Sequence, residues 1–186
     1  MISCPWRSPA FDRVVAKEPR DIGDVAHPTD SACCVNPVAS VMSETIVEFA
    51  ADTTRTIGSL IFSGTSSRYP NIRFIFSHGG GLAPYVIDRF HYDARDPKRA
   101  ALVPHGVDAE LRRFYYDTAF VSAPAPMAAL MKMAPASQIL LGTDYPYAPG
   151  SDTVNELANC GATTSELDGF ERRNALALLG GATTHA

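Results

Sequence analysis

The sequence predicts an α/β fold of about four β-α units, with parallel strands joined by right-handed helical crossovers. Three observations carry that expectation. Short apolar runs occur at Ile72–Ser77, Phe114–Thr118 and Gln138–Gly142, with a weaker one at Ile22–Ala26. Between them lie stretches of roughly 10 to 20 residues whose apolar positions repeat at helical spacing. Two of the runs end on a chemistry-bearing residue and break at once into a turn: Phe76-Ser77-His78-Gly79-Gly80-Gly81 and Leu141-Gly142-Thr143-Asp144-Tyr145-Pro146. A closed barrel of alternating strands and helices takes eight such units and about 250 residues. Four units in 186 residues correspond to half of one.

Each element has a local reason. Residues 1–20 carry little pattern and are punctuated by Pro5, Pro9 and Pro19. The strand at Ile22–Ala26 is weakened by Gly23 and Asp24, and Thr29–Ser43, with Pro28 and Pro37, reads as a loop. From Glu44 to Gly64, Ile46, Phe49, Ala50, Ile57, Leu60 and Ile61 form one helical face that stops near the glycine. Ile72–Ser77 reads as a buried strand, and Leu82, Tyr85, Val86 and Phe90 mark the next helix. Asp93–Asp108 is polar and reads as a connection. The strand Phe114–Thr118 is followed by a helix around Pro126–Met133, then the strand Gln138–Gly142. Thr163-x-x-Glu166 has the form of a capping box, opening a final helix that ends at Gly180-Gly181. Residues 1–186 read as one domain, without repeats or low-complexity tracts.

Composition narrows the function classes. A hydrophobic content of 46% suffices for a compact core. A net charge of -4 and a pI near 5.7 argue against a nucleic-acid footprint, which needs clustered Lys and Arg. No run reaches the length of a membrane span, and Met1–Arg7 lacks the basic and apolar blocks of a signal peptide. Cys4, Cys33, Cys34 and Cys160 form no C-x-x-C, and the neighbours Cys33 and Cys34 are poorly placed to pair with each other. Reduced thiols in a cytoplasmic protein are the expectation.

The strand-end residues carry the chemistry. His78 before three glycines could be an incidental residue of a tight turn, but an imidazole ending a buried strand demands a polar partner. It could belong to the oxyanion loop of an α/β-hydrolase, which requires a G-x-S-x-G elbow that this sequence does not contain. The third reading is a metal-site or acid/base histidine. Asp144 could cap a turn. At the end of Ile139-Leu140-Leu141-Gly142 it could equally serve a divalent cation, which compensates a costly buried carboxylate. His27, in Val25-Ala26-His27-Pro28, is a weaker third member, since His-Pro is a common way into a loop. Glu48, Asp52 and Arg55 lie at helical spacing and read as a solvated or ion-paired face, and His91, His105 and His185 as surface residues.

Together these passages resemble the amidohydrolase-related metal enzymes, in particular the branch typified by aminocarboxymuconate semialdehyde decarboxylase. That branch also includes the resorcylate and 6-methylsalicylate decarboxylases. The likeness runs through Val25–Pro28, Glu48–Ile57, Arg68–Gly81, Phe114–Thr118, Ile139–Pro146 and Asn174–Gly180, and covers residues 22–181. The resemblance implies a distorted (β/α)8 barrel around one divalent ion, usually zinc, with manganese the alternative. It implies that His27, in the HP motif closing strand five, binds the metal. It implies that His78, in the HGGG run closing strand six, is the catalytic acid/base. Asp144, in the GTD motif closing strand eight, is by the same token a metal ligand and shares in the catalysis.

The sequence departs from that family in one respect. The family opens its first strand with a His-x-His pair of metal ligands, and no H-x-H occurs in these 186 residues. His27 and Asp144 supply two ligands where a catalytic zinc normally takes three. The chain therefore reads as the C-terminal half of the pattern, N-terminally truncated. The expected function is that of a metal-dependent carboxy-lyase acting on a small aromatic or unsaturated carboxylic acid, with Arg95 and Arg99 as candidates to hold the carboxylate. Hydrolysis of an ester, lactone or amide by the same site is the alternative, and a non-catalytic half-barrel is a third reading. A half-barrel leaves two strand edges, so self-association is expected, as a homodimer or through the open edge. Phe74, Phe76, Tyr116 and Leu140 are expected to face the other half.

Overall fold

The computed structural model describes residues 24–26 and 42–180. Four parallel strands form one sheet in sequence order: β1 (Asp24–Ala26), β2 (Phe74–Phe76), β3 (Tyr115–Asp117) and β4 (Ile139–Leu140). Ala26 lies opposite Phe76, Phe76 opposite Tyr116, and Asp117 opposite Leu140. Each β-α unit thus adds its strand to the same side of the sheet, as in a barrel. The expected order and direction hold, and the strands are shorter than the apolar runs that announce them.

Parallel order has one consequence for function: the chain leaves every strand at the same edge. His78 follows β2, Phe120 follows β3 and Asp144 follows β4 there. His27 lies outside the described residues.

The helices cover one face. The expected helix over 44–64 is broken near its start: Glu44–Ile46 is a 3-10 turn, and α1 (Glu48–Phe62) begins after Val47, whose φ of -125° is not helical. Next come α2 (Thr65–Arg68) and α3 (Ala83–Asp93), which carries a proline in its first turn. The polar connection 93–108 is not all loop. It holds α4 (Pro97–Ala100), capped by Asp96 accepting from the Lys98 amide at 2.7 Å, and the start of α5 (Val107–Leu111). Four residues are too few for periodicity to betray α4. Then follow α6 (Pro124–Met133), α7 (Gly150–Leu157), α8 (Thr164–Asp168) and α9 (Asn174–Leu178). A π-helical turn, Gly169–Arg173, separates the last two within what the sequence reads as one helix.

The core lies between sheet and helices. Phe74, Phe76 and Tyr116 are buried there with Ile57, Leu60 and Ile61 of α1, Leu111, Met127, Leu130 and Phe170. Phe114 meets Phe76 edge-on at 5.1 Å and Phe74 at 5.8 Å. Burial pushes the Tyr116 phenol far above its usual range, and its hydroxyl donates to the Leu111 carbonyl at 2.9 Å. The expectation that Phe74, Phe76 and Tyr116 face another half is therefore corrected: alternation turns them toward this chain's own helices. Ile75, Tyr115 and Asp117, half-buried, take the other face. Leu140, paired with Asp117, shares that face and is nevertheless buried.

Candidate active site

β2 ends in a turn that depends on its three glycines. Ser77 is extended, then four residues in a row take positive φ: His78 (55°), Gly79 (61°), Gly80 (77°) and Gly81 (65°). At Gly81 a Cβ would overlap the Ala50 carbonyl of α1, so the glycine lets the turn lie directly on the helix backbone. The Thr54 hydroxyl of α1 accepts the Leu82 amide at 2.8 Å and fastens the far side of the turn.

Three non-glycine residues among those described have positive φ: His78, Phe120 (57°) and Asp144 (59°). Left-handed backbone costs an ordinary residue about 1–2 kcal/mol. All three stand just beyond β2, β3 and β4, at one edge of the sheet. Such strain persists where the surroundings over-determine it, and it clusters at functional sites.

Asp117 and Thr118, at the end of β3, supply those surroundings. Asp117 Oδ1 accepts the His78 amide at 2.8 Å and the Ala119 amide at 3.1 Å. The fully buried Thr118 hydroxyl donates to the Gly142 carbonyl and accepts the Gly142 amide, both at 3.1 Å. The His78 imidazole lies with Nδ1 3.3 Å from the Ala119 carbonyl and its ring 5.8 Å from that of Phe120.

A cavity of about 430 Å³ opens at this edge, lined by Ser77, Asp117, Ala119, Thr143, Asp144, Tyr145 and Tyr147. His78 is held against two of its walls, Asp117 and Ala119. Tyr145 and Tyr147, which line it, are 78% and 85% exposed, and Phe120, beside His78, is 67% exposed, so this edge is aromatic and open to an incoming flat molecule.

The other candidates lie elsewhere. Ala50 and Phe62 are twelve residues apart on α1, about 18 Å along its axis. Ala50 touches the glycine turn, whereas Phe62 lies under the Arg99 guanidinium at 5.7 Å. Arg99 also pairs with Asp93 at 3.3 Å, and Arg95 stacks on Tyr92 at 5.4 Å. Both arginines thus sit at the far end of α3 from His78, and neither is among the residues that line the cavity. Asp52 and Arg55 approach to 4.0 Å on the face of α1, and His91 bridges Asp88 and Asp108 on the surface, as their spacing and polarity suggest. Asp117 is the residue that sequence reading passed over, absorbed into the run Phe114–Thr118. The signal was present: like Asp144, it is a carboxylate closing an apolar run.

The donor chemistry suits a divalent cation in part. Asp144 and Asp117 bring hard oxygen donors to the cavity, but among the described residues no three His, Cys, Asp or Glu side chains are grouped to share an ion. The described residues fit as one portion of a ligand set.

A family profile described as Amidohydrolase matches residues 11–181. The chain belongs to the amidohydrolase family. Among curated relatives, a decarboxylase of Aspergillus niger named yanB is 34% identical over 140 residues, covering 70% of this chain and 37% of its own length. The 2-amino-3-carboxymuconate-6-semialdehyde decarboxylase of Dictyostelium discoideum is 31% identical over 143 residues, covering 73% of this chain and 38% of its own. A solved dihydroxybenzoic acid decarboxylase from Polaromonas sp. JS666, with bound manganese and the inhibitor 2-nitroresorcinol, superposes with a TM-score of 0.72 at 20% identity. It covers 86% of this chain and 50% of its own, which fixes the fold as half of an amidohydrolase barrel. The chain spans well under half the length of these curated relatives.

Proposed function

We propose that this amidohydrolase chain carries the proton-transfer half of a metal-dependent carboxy-lyase site for small aromatic or unsaturated carboxylic acids. The observation that supports it best is the placing of His78 and Asp144, both in left-handed backbone, at one edge of the sheet, where Asp144 lines an aromatic-rimmed cavity. Relatives that remove carboxylate from dihydroxybenzoic acid and from an aminocarboxymuconate semialdehyde suggest the substrate class.

Asp144 and His27 would hold the divalent ion, zinc or manganese, with further ligands supplied from outside these residues. When bound, the ion supplies Lewis-acid polarisation of the substrate's carboxylate and its neighbouring oxygen. This chain's residues do the rest. A carbonyl can only accept, so in the neutral imidazole Nδ1 would donate to Ala119, and Nε2 would be the nitrogen that exchanges protons with substrate. In the decarboxylating direction, the imidazolium gives its Nε2 proton to the carbon bearing the carboxylate. The C–C bond then breaks, its electron pair returns to the unsaturated system, and carbon dioxide leaves. Tyr145, Tyr147 and Phe120 would cover the flat substrate and exclude water.

A protein whose described residues leave one sheet face unfilled is further proposed to self-associate or to pair with β-α units that supply further ligands. The buried free thiol of Cys160 agrees with a cytoplasmic setting.

The test is complementation. The chain is co-expressed with N-terminal β-α units of a related decarboxylase carrying H-x-H, loaded with zinc or manganese, and assayed for carbon dioxide release from dihydroxybenzoic acids. Turnover by the pair, with little by the chain alone, is the expected result. An inactive pair that folds and holds metal would overturn the proposal.

A further inference from the structure

Beyond the acid/base and metal-ligand roles, one side chain touches the ends of three strands at once. Asp117 Oδ1 takes two amides, that of His78 beyond β2 and that of Ala119 beyond β3. Its Cβ and Cγ press on Gly142 beyond β4: a Cβ there would stand 2.6 Å from each, and 2.8 Å from Oδ2. Gly142 has ordinary backbone, so its lack of a side chain answers to space: the carboxylate of Asp117 occupies the place where a methyl group would be. Thr118 then locks the same glycine by both its amide and its carbonyl, two residues before Asp144.

We propose that Asp117 is a positioning residue: with Thr118 it ties the ends of β2, β3 and β4 together and holds His78 in its left-handed backbone. The physical reasons are direct. A charge-assisted hydrogen bond from an amide to a carboxylate is roughly twice as strong as a neutral one. Here it is spent on the amide of the very residue that the turn strains. The second bond, to Ala119, places the carbonyl that faces His78 Nδ1. One carboxylate therefore holds both the backbone of His78 and the residue whose carbonyl faces its ring. Asp144 is held from the same point, because Gly142 is clasped from its two sides by Asp117 and Thr118. The sequence run Tyr116-Asp117-Thr118 reads as a strand end and works as a clamp. The geometric part stands by itself; the catalytic part rests on the acid/base reading of His78.

Amide hydrogen exchange of the full chain, followed by NMR at His78 and Ala119, separates these parts. Asp117→Asn keeps an oxygen acceptor of the same shape, so protection at both amides should fall no more than about threefold, the neutral bond being weaker. Asp117→Ala removes the acceptor, and protection should fall by about tenfold or more, the factor a hydrogen bond to a charged group is worth. Gly142→Ala leaves the carboxylate intact but pushes it aside, and should reproduce the loss at His78 without altering any hydrogen-bonding group. In the complemented enzyme, kcat should follow the same order, wild type, Asn, then Ala, while KM stays nearly constant. Unchanged protection at His78 in Asp117→Ala or Gly142→Ala, with cooperative unfolding retained, would overturn the clamp. Asn behaving like Ala at both amides would overturn it as well. If no acid is decarboxylated by the wild-type pair, the activity reading fails and the exchange measurements still decide the clamp.

Discussion

At the scale of single residues, the site is a contest between backbone strain and the contacts that impose it. His78 and Asp144 both hold left-handed φ, and the His78 amide is fastened to Asp117 while it does so. Gly81 is the clearest case, since a methyl group there meets the carbonyl of Ala50, which belongs to a 15-residue helix and cannot retreat. Gly81→Ala should cost about 3 kcal/mol or more, combining left-handed strain with backbone overlap. Urea denaturation checks this, and a loss under 1 kcal/mol would mean that α1 can slide off the turn. His78→Asn, by contrast, should leave stability close to wild type and lower kcat of the complemented enzyme by about 10²–10⁴-fold, the usual worth of a positioned acid/base. Equal kcat in the two proteins would take the proton-transfer role away from His78.

At the scale of elements, the C-terminal helical segment acts as a brace for β4. The π-turn frees the Phe170 carbonyl to accept the Leu141 amide at 2.9 Å, continuing the pairing of a two-residue strand. Asn174 Nδ2 donates to the carbonyls of Ala136 and Ile139 at 2.8 and 2.7 Å. Asn174→Ala strands both carbonyls and should cost about 2–3 kcal/mol, with exchange at Leu141 rising along with it. At the start of the same segment, Thr163 and Glu166 form the capping box that their spacing predicts. The Thr163 amide, then its hydroxyl, donates to the Glu166 carboxylate and holds its pKa below the usual glutamate value. A depressed folded-state pKa stabilises above the unfolded value and is lost as pH falls through the folded one. The stability gap between wild type and Glu166→Gln should therefore be present at neutral pH and close below about pH 4. A gap that widens in acid would contradict it.

These elements also show where sequence reading succeeds and where it stops. The strands were legible because each is an apolar run closed by a turn, and the box because its spacing is local. The π-turn was not, because Gly169–Arg173 has no period of its own; its Phe170 carbonyl meets Leu141, 29 residues earlier in the chain. Likewise His78 and Asp144 were visible as interruptions of apolar runs. The role of Asp117 was hidden, since it depends on the amide of His78, 39 positions away, and on the emptiness at Gly142. Arg95 and Arg99 lie past the end of α3, away from the turn it starts beside, a distance that their place in the sequence does not disclose. Side-chain chemistry at strand ends is local information, whereas who holds whom across the sheet is not.

At the scale of the whole molecule, the two faces of the sheet differ in what they need. The helix side is complete: Phe76 and Tyr116 are fully buried by this chain's own residues. Phe76→Ala should thus cost about 3–5 kcal/mol, as in any closed core, and the chain should unfold cooperatively. The other face pairs Ile75 with Tyr115 side by side, each only half-buried. In a closed barrel that face is filled by side chains from every strand. Among the described residues β1 and β4 are the outer strands, whose edges a closed barrel would pair. An apolar patch with open edges finds a partner, and the cheapest partner at high concentration is a second copy. The chain should therefore sediment as a concentration-dependent dimer or larger species. Ile75→Lys should weaken that association by about tenfold or more, since an ammonium group must then be desolvated, and leave the unfolding midpoint little changed. Co-expressed β-α units carrying H-x-H should compete with self-association and restore a monomeric barrel-sized species. A chain that stays monomeric at all concentrations, indifferent to Ile75→Lys, would mean that its own remaining residues already fill this face.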